Sequence, residues 1–274
     1  MTYFFFSKEY HQINASENLF FEFEGQTISY SVQNQIAKVP FRSSFFILEN
    51  AKENILLAFI DSLKNRAKRI EWVLAPLIYP KAKENFILLK ENFFKIKQIE
   101  LSQYIDLTQD FEKNLHQTKR KNLRKLNASN LVTKQLSLDY YHECYQMIAD
   151  ARIRKNYPVT MQSQDLERLL VHFPDVFLLF GTFIEGILSA CSVTVKLSDT
   201  VIYQFYWAHN PTFDDKNPLL YHNYTLACLA KKWGFTIFDY GVSTDNGIIN
   251  RGLFRYKEQL GAKISKKYYL EREI

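Results

Sequence analysis

The order of elements written into residues 139–270 limits the folds open to this chain more than any other feature of its sequence. Two amphipathic segments, 139–155 and 162–172, are separated by Tyr157-Pro158 and read as helices. Two long apolar strands follow, 176–184 and 186–197, hinged at Glu185-Gly186, and then a third, 200–209, rich in Tyr, Phe and Trp. Asn217-Pro218 starts a helix, with Asn as N-cap and Pro at the first helical position. That helix, 218–233, stops at Gly234. Strand 235–240, helix 248–259 and strand 262–270 complete a sequence of helix, helix, three strands, helix, strand, helix, strand.

The first half reads as a shortened version of the same order. Residues 19–48 are short strands, with Phe21-Phe23 and Ile28-Tyr30-Val32 alternating with polar residues around a turn at Glu24-Gly25-Gln26. Residues 52–68 carry Ile55, Phe59, Ile60 and Leu63 on one helical stripe. A strand over Ile70 to Leu74 ends before Ala75-Pro76, residues 81–91 are helical and 95–107 extended. Alternating strands and helices predict a mixed α/β layer. Residues 110–128 form a strongly basic helix. No Pro/Gly/Ser-rich linker separates the halves, so two domains, 1–130 and 131–274, are expected to pack tightly.

With 274 residues the chain buries enough surface to hold a core without disulfide or metal. Its net charge of +6 favours an anionic partner such as nucleotide phosphate, tRNA, anionic lipid or a glycan precursor; plain solubility accounts for it equally. Cys144, Cys191 and Cys228 are far apart and odd in number, which is neither a disulfide framework nor a metal site, and fits reduced thiols in a cytosolic protein. The N-terminus lacks the basic and apolar regions of a signal peptide. No apolar run reaches membrane-spanning length. A cytoplasmic location is expected.

Near the C-terminus the chain reads Phe238-Asp239-Tyr240-Gly241-Val242-Ser243, then, after a spacer, Gly252-Leu253-Phe254-Arg255-Tyr256-Lys257-Glu258-Gln259-Leu260-Gly261-Ala262. An acid, several glycines and a lysine stand where a strand gives way to a helix. This stretch resembles the closing motif of the FemAB-like branch of the GNAT acyltransferase superfamily. Asp106-Leu107, followed by Lys119-Arg120-Lys121-Asn122-Leu123-Arg124-Lys125, resembles the segment that joins the two GNAT-like lobes in that branch. Pro40-Phe41, and Ala75-Pro76 with Tyr79, are similar to first-lobe elements.

The resemblance implies an α/β (α+β) double GNAT-like fold: two lobes, each a mixed, mostly antiparallel sheet flanked by helices. It implies transfer of an acyl or aminoacyl group to an amine, from acyl-CoA or aminoacyl-tRNA, to acceptors such as peptidoglycan precursors or amino sugars. The chain departs from the pattern at three places. Arg42-Ser43-Ser44-Phe45 stands where many relatives carry paired glycines. No lysine-rich coiled-coil arm lies between 139 and 172, which argues against a tRNA-using ligase. Asp214-Asp215-Lys216-Asn217 replaces the glycine-rich loop that cradles CoA pyrophosphate, and its two carboxylates repel phosphates.

Lys257 lies at the edge of a stripe formed by Ile249, Leu253, Tyr256 and Leu260. The matching lysine of relatives lies at the active site, as a phosphate contact or a stabiliser of transition-state charge; the alternative is a solvated rim lysine. Asp239 either takes the proton of the attacking amine, binds the acceptor's hydroxyl or amide, or caps the following turn. Arg251 reads as surface charge, whereas Arg255 is a candidate substrate contact. Of the basic run 119–125, one or two residues, Arg120 or Arg124 foremost, are expected to face the cleft between the lobes, and the rest to be solvated. Tyr206, with Tyr203 and Trp207, borders the expected acceptor side and either stacks on a sugar ring or packs in the core. His222 is a general base or substrate contact, or a hydrogen-bonded structural histidine. No metal cluster is apparent.

The expected activity is therefore transfer of an acyl group, from acyl-CoA, to a small or carrier-linked amine, such as an amino sugar in cell-surface glycan synthesis. An oxyanion site is expected where strands 186–197 and 200–209 splay. The alternatives are an aminoacyl-tRNA-dependent ligase, with tRNA as partner, and a non-catalytic ligand-binding protein of the same fold.

Overall fold

A computed structural model describes residues 4–7, 9–10, 19–40, 45–127 and 130–274. Residues 41–44, which hold most of the Pro40-Phe41 and Arg42-Ser43-Ser44-Phe45 elements, lie outside the described residues. The chain divides into two compact units. The first comprises Met1–Ser102, Val242–Asn250 and Ile264–Ile274; the second comprises Gln103–Gly241 and Arg251–Lys263. The first boundary falls between Ser102 and Gln103, and the segments 242–250 and 264–274 belong to the first unit.

In chain order the elements are β1 (Leu19–Phe23), β2 (Gln26–Gln33), β3 (Ile36–Val39), α1 (Glu53–Leu63), β4 (Arg69–Val73), α2 (Ala82–Glu91) and β5 (Lys95–Asp106). Then come α3 (Gln117–Asn127), β6 (Leu131–Gln135), α4 (Tyr141–Ile153), α5 (Ser163–His172), β7 (Phe177–Ile184), β8 (Ile187–Lys196) and β9 (Val201–His209). The chain closes with α6 (Pro218–Lys232), β10 (Ile237–Val242), β11 (Thr244–Asp245), β12 (Ile248–Ile249), α7 (Arg251–Gln259) and β13 (Lys263–Glu273).

In the first unit the strands run in the order β1-β2-β3-β4-β13-β5. The β1–β2 and β2–β3 pairs are antiparallel, β3–β4 is parallel, and β13 lies antiparallel to β4 from Tyr269↔Val73 to Glu273↔Arg69. Glu24 and Gly25 turn β1 into β2 with φ of 47° and 73°, the left-handed pair that suits the twist of a two-residue hairpin. Helix α1 buries Ile55, Leu56, Phe59, Ile60 and Leu63. The Trp72 ring meets Phe46, Phe59 and Phe94 edge-on at 5.7, 6.1 and 6.1 Å. Asn85 is fully buried, and its amide serves the backbone of Leu48, accepting its N–H at 2.7 Å and donating to its carbonyl at 2.9 Å.

In the second unit the order is β5-β10-β9-β8-β7-β6. Pairs β6–β7, β7–β8 and β8–β9 are antiparallel and β9–β10 is parallel. Helix α6 presses Leu220, Leu226, Ala227 and Ala230 onto Leu178, Phe180, Ile202, Phe238 and Tyr240. The helix starts at Pro218 as expected, although Asn217 takes φ 44° and its side chain makes no capping bond. Among the described residues, no helix is long and apolar enough to cross a membrane.

Three helices are shorter than the sequence suggests: α1, expected over 52–68, ends at Leu63. The segment 110–128 breaks into a 3-10 turn, Phe111–Asn114, and α3, because Leu115 takes an extended ψ of 135° between them. Residues 248–249 belong to the β11–β12 hairpin, turned by Asn246 and Gly247 at φ 51° and 76°. Helix α7 therefore starts at Arg251, and Ile249 is an exposed strand residue rather than part of the helical stripe.

Candidate active site

The site grows from the place where β9 and β10 part. Their parallel register holds for Ile237↔Val201, Phe238↔Ile202 and Asp239↔Tyr203 and then ends. Strands β8 and β9, expected to splay, instead stay paired from Ala190↔His209 to Lys196↔Ile202, interrupted by one irregularity that leaves Phe205 without a partner. Antiparallel neighbours joined by a short turn keep their ladder, whereas the β9–β10 pair arrives from distant segments and holds register over three residues only.

Just past the parting, Gly241 takes φ 73°. A Cβ there would lie 3.0 Å from the Tyr203 ring, so glycine is required both by the backbone and by the ring lying against it. Both ends of the Gly241 residue are held by ionisable side chains. Asp239, 2% exposed, accepts the Gly241 N–H at 2.7 Å. Lys257, 0% exposed, donates from Nζ to the Gly241 carbonyl at 2.9 Å. In α7 Lys257 is the buried residue, while the arginines of that helix face solvent. Burial drives the Lys257 ammonium down to a pKa of about 7, opposed by the neighbouring Asp239 carboxylate. Near neutrality this lysine exists both as ammonium and as free amine, so it can offer a charge or accept a proton. It is not the solvated rim lysine that its place at the edge of the stripe left open.

A polar chain ends on the neighbouring residue of α7, Tyr256. Gln204, 1% exposed, donates to Asn223 at 2.7 Å, and Asn223 donates to the Tyr256 hydroxyl at 3.4 Å. The Gln204 Oε1 is buried with no hydrogen-bond donor among the described residues. The Tyr256 ring is flanked by Trp207 at 5.6 Å and the Lys119 ammonium at 5.0 Å, and Trp207 stacks on Tyr240 at 5.8 Å. Burial lowers the Lys119 pKa. Of the basic run, Lys119 is the side chain drawn inward, while Arg120 and Arg124 are exposed.

The remaining candidates lie elsewhere. Arg255 is exposed. Tyr206 is buried, its hydroxyl bonded to that of Thr160 and its ring under the Arg152 guanidinium at 5.6 Å. His222 is fully buried, with Nδ1 bonded to the Thr182 hydroxyl and Nε2 to the Ser192 hydroxyl, both at 2.8 Å. Burial lowers its pKa to about 3, so it stays neutral across the physiological range. The structure thus joins Lys257 to Asp239 through Gly241. Gln204, Asn223 and Lys119 were not legible as site residues, since nothing in their spacing distinguishes them from ordinary strand and helix positions.

No family model matches the chain. No curated protein matches it either. Solved structures do. FemX superposes with a TM-score of 0.77 at 13% identity, covering 99% of this chain and 92% of that one. The C-terminal domain of a putative lysylphosphatidylglycerol synthetase from Agrobacterium fabrum gives 0.66 at 11% identity, covering 97% and 86%. A tandem GNAT protein from the clavulanic acid biosynthesis pathway gives 0.52 at 11% identity, covering 94% and 84%. The architecture that the closing motif implied is therefore the one the chain adopts: a FemAB-like double GNAT-type fold.

Proposed function

We propose that the second unit carries a site for acyl transfer to an amine, centred on Lys257 and Asp239. The observation that carries this reading is the fully buried Lys257, bonded to the Gly241 carbonyl beside a carboxylate where two parallel strands part. Burying a lysine is costly, and packing alone would be served by an apolar side chain. Perturbed ionisable groups at the end of a strand are what proton-transfer and charge-stabilising sites require.

In this reading the acceptor amine attacks the donor carbonyl directly. The C–N bond forms, the bond to the leaving group breaks, and the amine loses a proton to Lys257 in its free-amine form or to Asp239 through water. In its ammonium form Lys257 balances negative charge on the donor. A carbonyl seated past Asp239 would face the part of β9 that has left register with β10. Acyl-CoA is the donor of the leading reading, and an amino sugar of cell-surface glycan synthesis the acceptor class by resemblance, with the reaction in the cytoplasm.

Two observations favour aminoacyl-tRNA as the alternative donor. Arg120, Lys121 and Arg124 are exposed on α3, and Asp214 and Asp215, both exposed, precede α6 where a pyrophosphate cradle would lie. Thermal unfolding with acetyl-CoA, longer acyl-CoAs, adenosine bisphosphate and charged tRNA separates the two. A ligand at 100 times its Kd adds about 2.7 kcal/mol. An acyl-CoA shift supports the first donor, steeply salt-dependent tRNA binding supports the second, and no response to either refutes both. With the donor in hand, Lys257→Ala and Asp239→Asn should each cut transfer at least tenfold while the fold persists; unchanged rates would sink the site assignment.

A further inference from the structure

Four helices end on one hydrogen-bond pattern. After α6, the N–H of Gly234 meets the Lys231 carbonyl and that of Phe235 the Ala230 carbonyl. After α7, Gly261 and Ala262 do the same to Glu258 and Lys257; after α4, Asn156 and Tyr157 to Ile153 and Arg152; after α2, Phe93 and Phe94 to Lys90 and Leu89. This cap places its first residue in the left-handed region, here at φ 90°, 82°, 55° and 63° respectively. Glycine fits that conformation without strain and asparagine tolerates it, whereas a bulky aromatic is an outlier. At α2 the residue is Phe93.

Packing does not explain the choice. The Phe93 side chain is 79% exposed, while its neighbour Phe94 is buried against Trp72 and anchors the turn. The one ring contact of Phe93 among the described residues is the Arg272 guanidinium at 6.0 Å. Ile87 and Ile96, on either side in sequence, are 54% and 42% exposed. Lys83, Lys90 and Lys95 are exposed in the same stretch of chain, whose two carboxylates are Glu84, turned to Lys81 at 3.8 Å, and Glu91; beyond it, Glu71 and Glu271 pair with Lys97.

We infer that the α2–β5 turn docks on an anionic lipid bilayer, with Phe93, Ile87 and Ile96 entering the headgroup–acyl boundary and the three lysines meeting lipid phosphates. The charge selects this occupant: separate apolar side chains interspersed in sequence with lysines suit a deformable anionic surface. The inference concerns the first unit and stands apart from the transfer reading.

The test uses the full chain with vesicles of phosphatidylglycerol and phosphatidylcholine, and of phosphatidylcholine alone, by co-sedimentation. Wild type should partition onto the anionic vesicles. Phe93→Gly should lower that partition about tenfold or more, from the lost burial of one aromatic side chain. The same substitution should raise the thermal midpoint, because glycine relieves the left-handed strain. Lys90→Glu with Lys95→Glu should remove the preference for anionic lipid. Failure of wild type to bind vesicles, undiminished binding by Phe93→Gly, or a lowered midpoint in that variant would each overturn the inference. Self-association that depends on Phe93, without vesicle binding, would also overturn it and assign the patch to a second copy of the chain.

Discussion

Replacing Lys257 by Met should change the pH dependence of stability more clearly than its value at any one pH. Burial lowers the Lys257 pKa from 10.5 to about 7. Between those two values the unfolded chain holds a proton on this lysine that the folded chain does not. Raising the pH therefore favours the folded state, by about 1.4 kcal/mol per pH unit in the middle of the window. Below about 7 both states are protonated and the slope vanishes; above 10.5 neither is. Across the whole window the contribution approaches about 5 kcal/mol. The variant has no proton to lose, but leaves the Gly241 carbonyl without its buried donor, a loss of about 1–3 kcal/mol. Urea unfolding at about pH 7.5 and 9.5 reads the difference between the two proteins, in which every other titrating group cancels. Wild type should gain roughly 2–3 kcal/mol more than Lys257→Met between those points. Parallel curves would refute the argument, since they would mean that the ammonium is no more desolvated in the folded chain than in the unfolded one.

Two further substitutions probe the surrounding structure. His222→Ala removes an imidazole bonded to Thr182 and Ser192 and should destabilise by about 2–4 kcal/mol in urea unfolding; in wild type the ring should show no NMR titration between about pH 5 and 8, and stability should fall as pH drops through the interval from 6.5 towards 3, where the unfolded chain binds the proton first. Gly241→Ala forces a Cβ to 3.0 Å from the Tyr203 ring at φ 73° and should destabilise by about 1–3 kcal/mol, measured the same way, with transfer reduced beyond the loss of folded protein.

Elements whose pattern is local were legible in the sequence. The hinge at Glu185-Gly186 is a hairpin turn with φ of 52° and 81°, and Gly234 ends α6. The second half follows the expected order closely because β7, β8 and β9 are long and apolar and α6 is bounded by Pro218 and Gly234. The misreadings arose where periodicity and tertiary structure compete. Ile249 fits the helical stripe by spacing, but Asn246-Gly247 turns the chain into a hairpin first, and that dipeptide was the available signal. The parting of β9 from β10, rather than of β8 from β9, depends on which distant strands become neighbours. So does the return of β13 to β4. Neither leaves a local trace.

The same division runs through the site. Lys257 and Asp239 were singled out because they sit in a recognisable stretch, yet their common partner is a backbone amide and carbonyl, which no residue pattern displays. Lys119 was passed over for Arg120 and Arg124 because charge alone does not say which member of a basic run meets an aromatic ring; the Tyr256 ring 5.0 Å away decides it. Lysine tolerates partial desolvation by shifting its pKa, whereas arginine holds its charge and needs partners for it. By the same reasoning Lys257 occupies the buried position of α7 while Arg251 and Arg255 remain outside. In α7 burial and charge together thus select lysine for the inward, titratable position and arginine for the two that display a permanent charge.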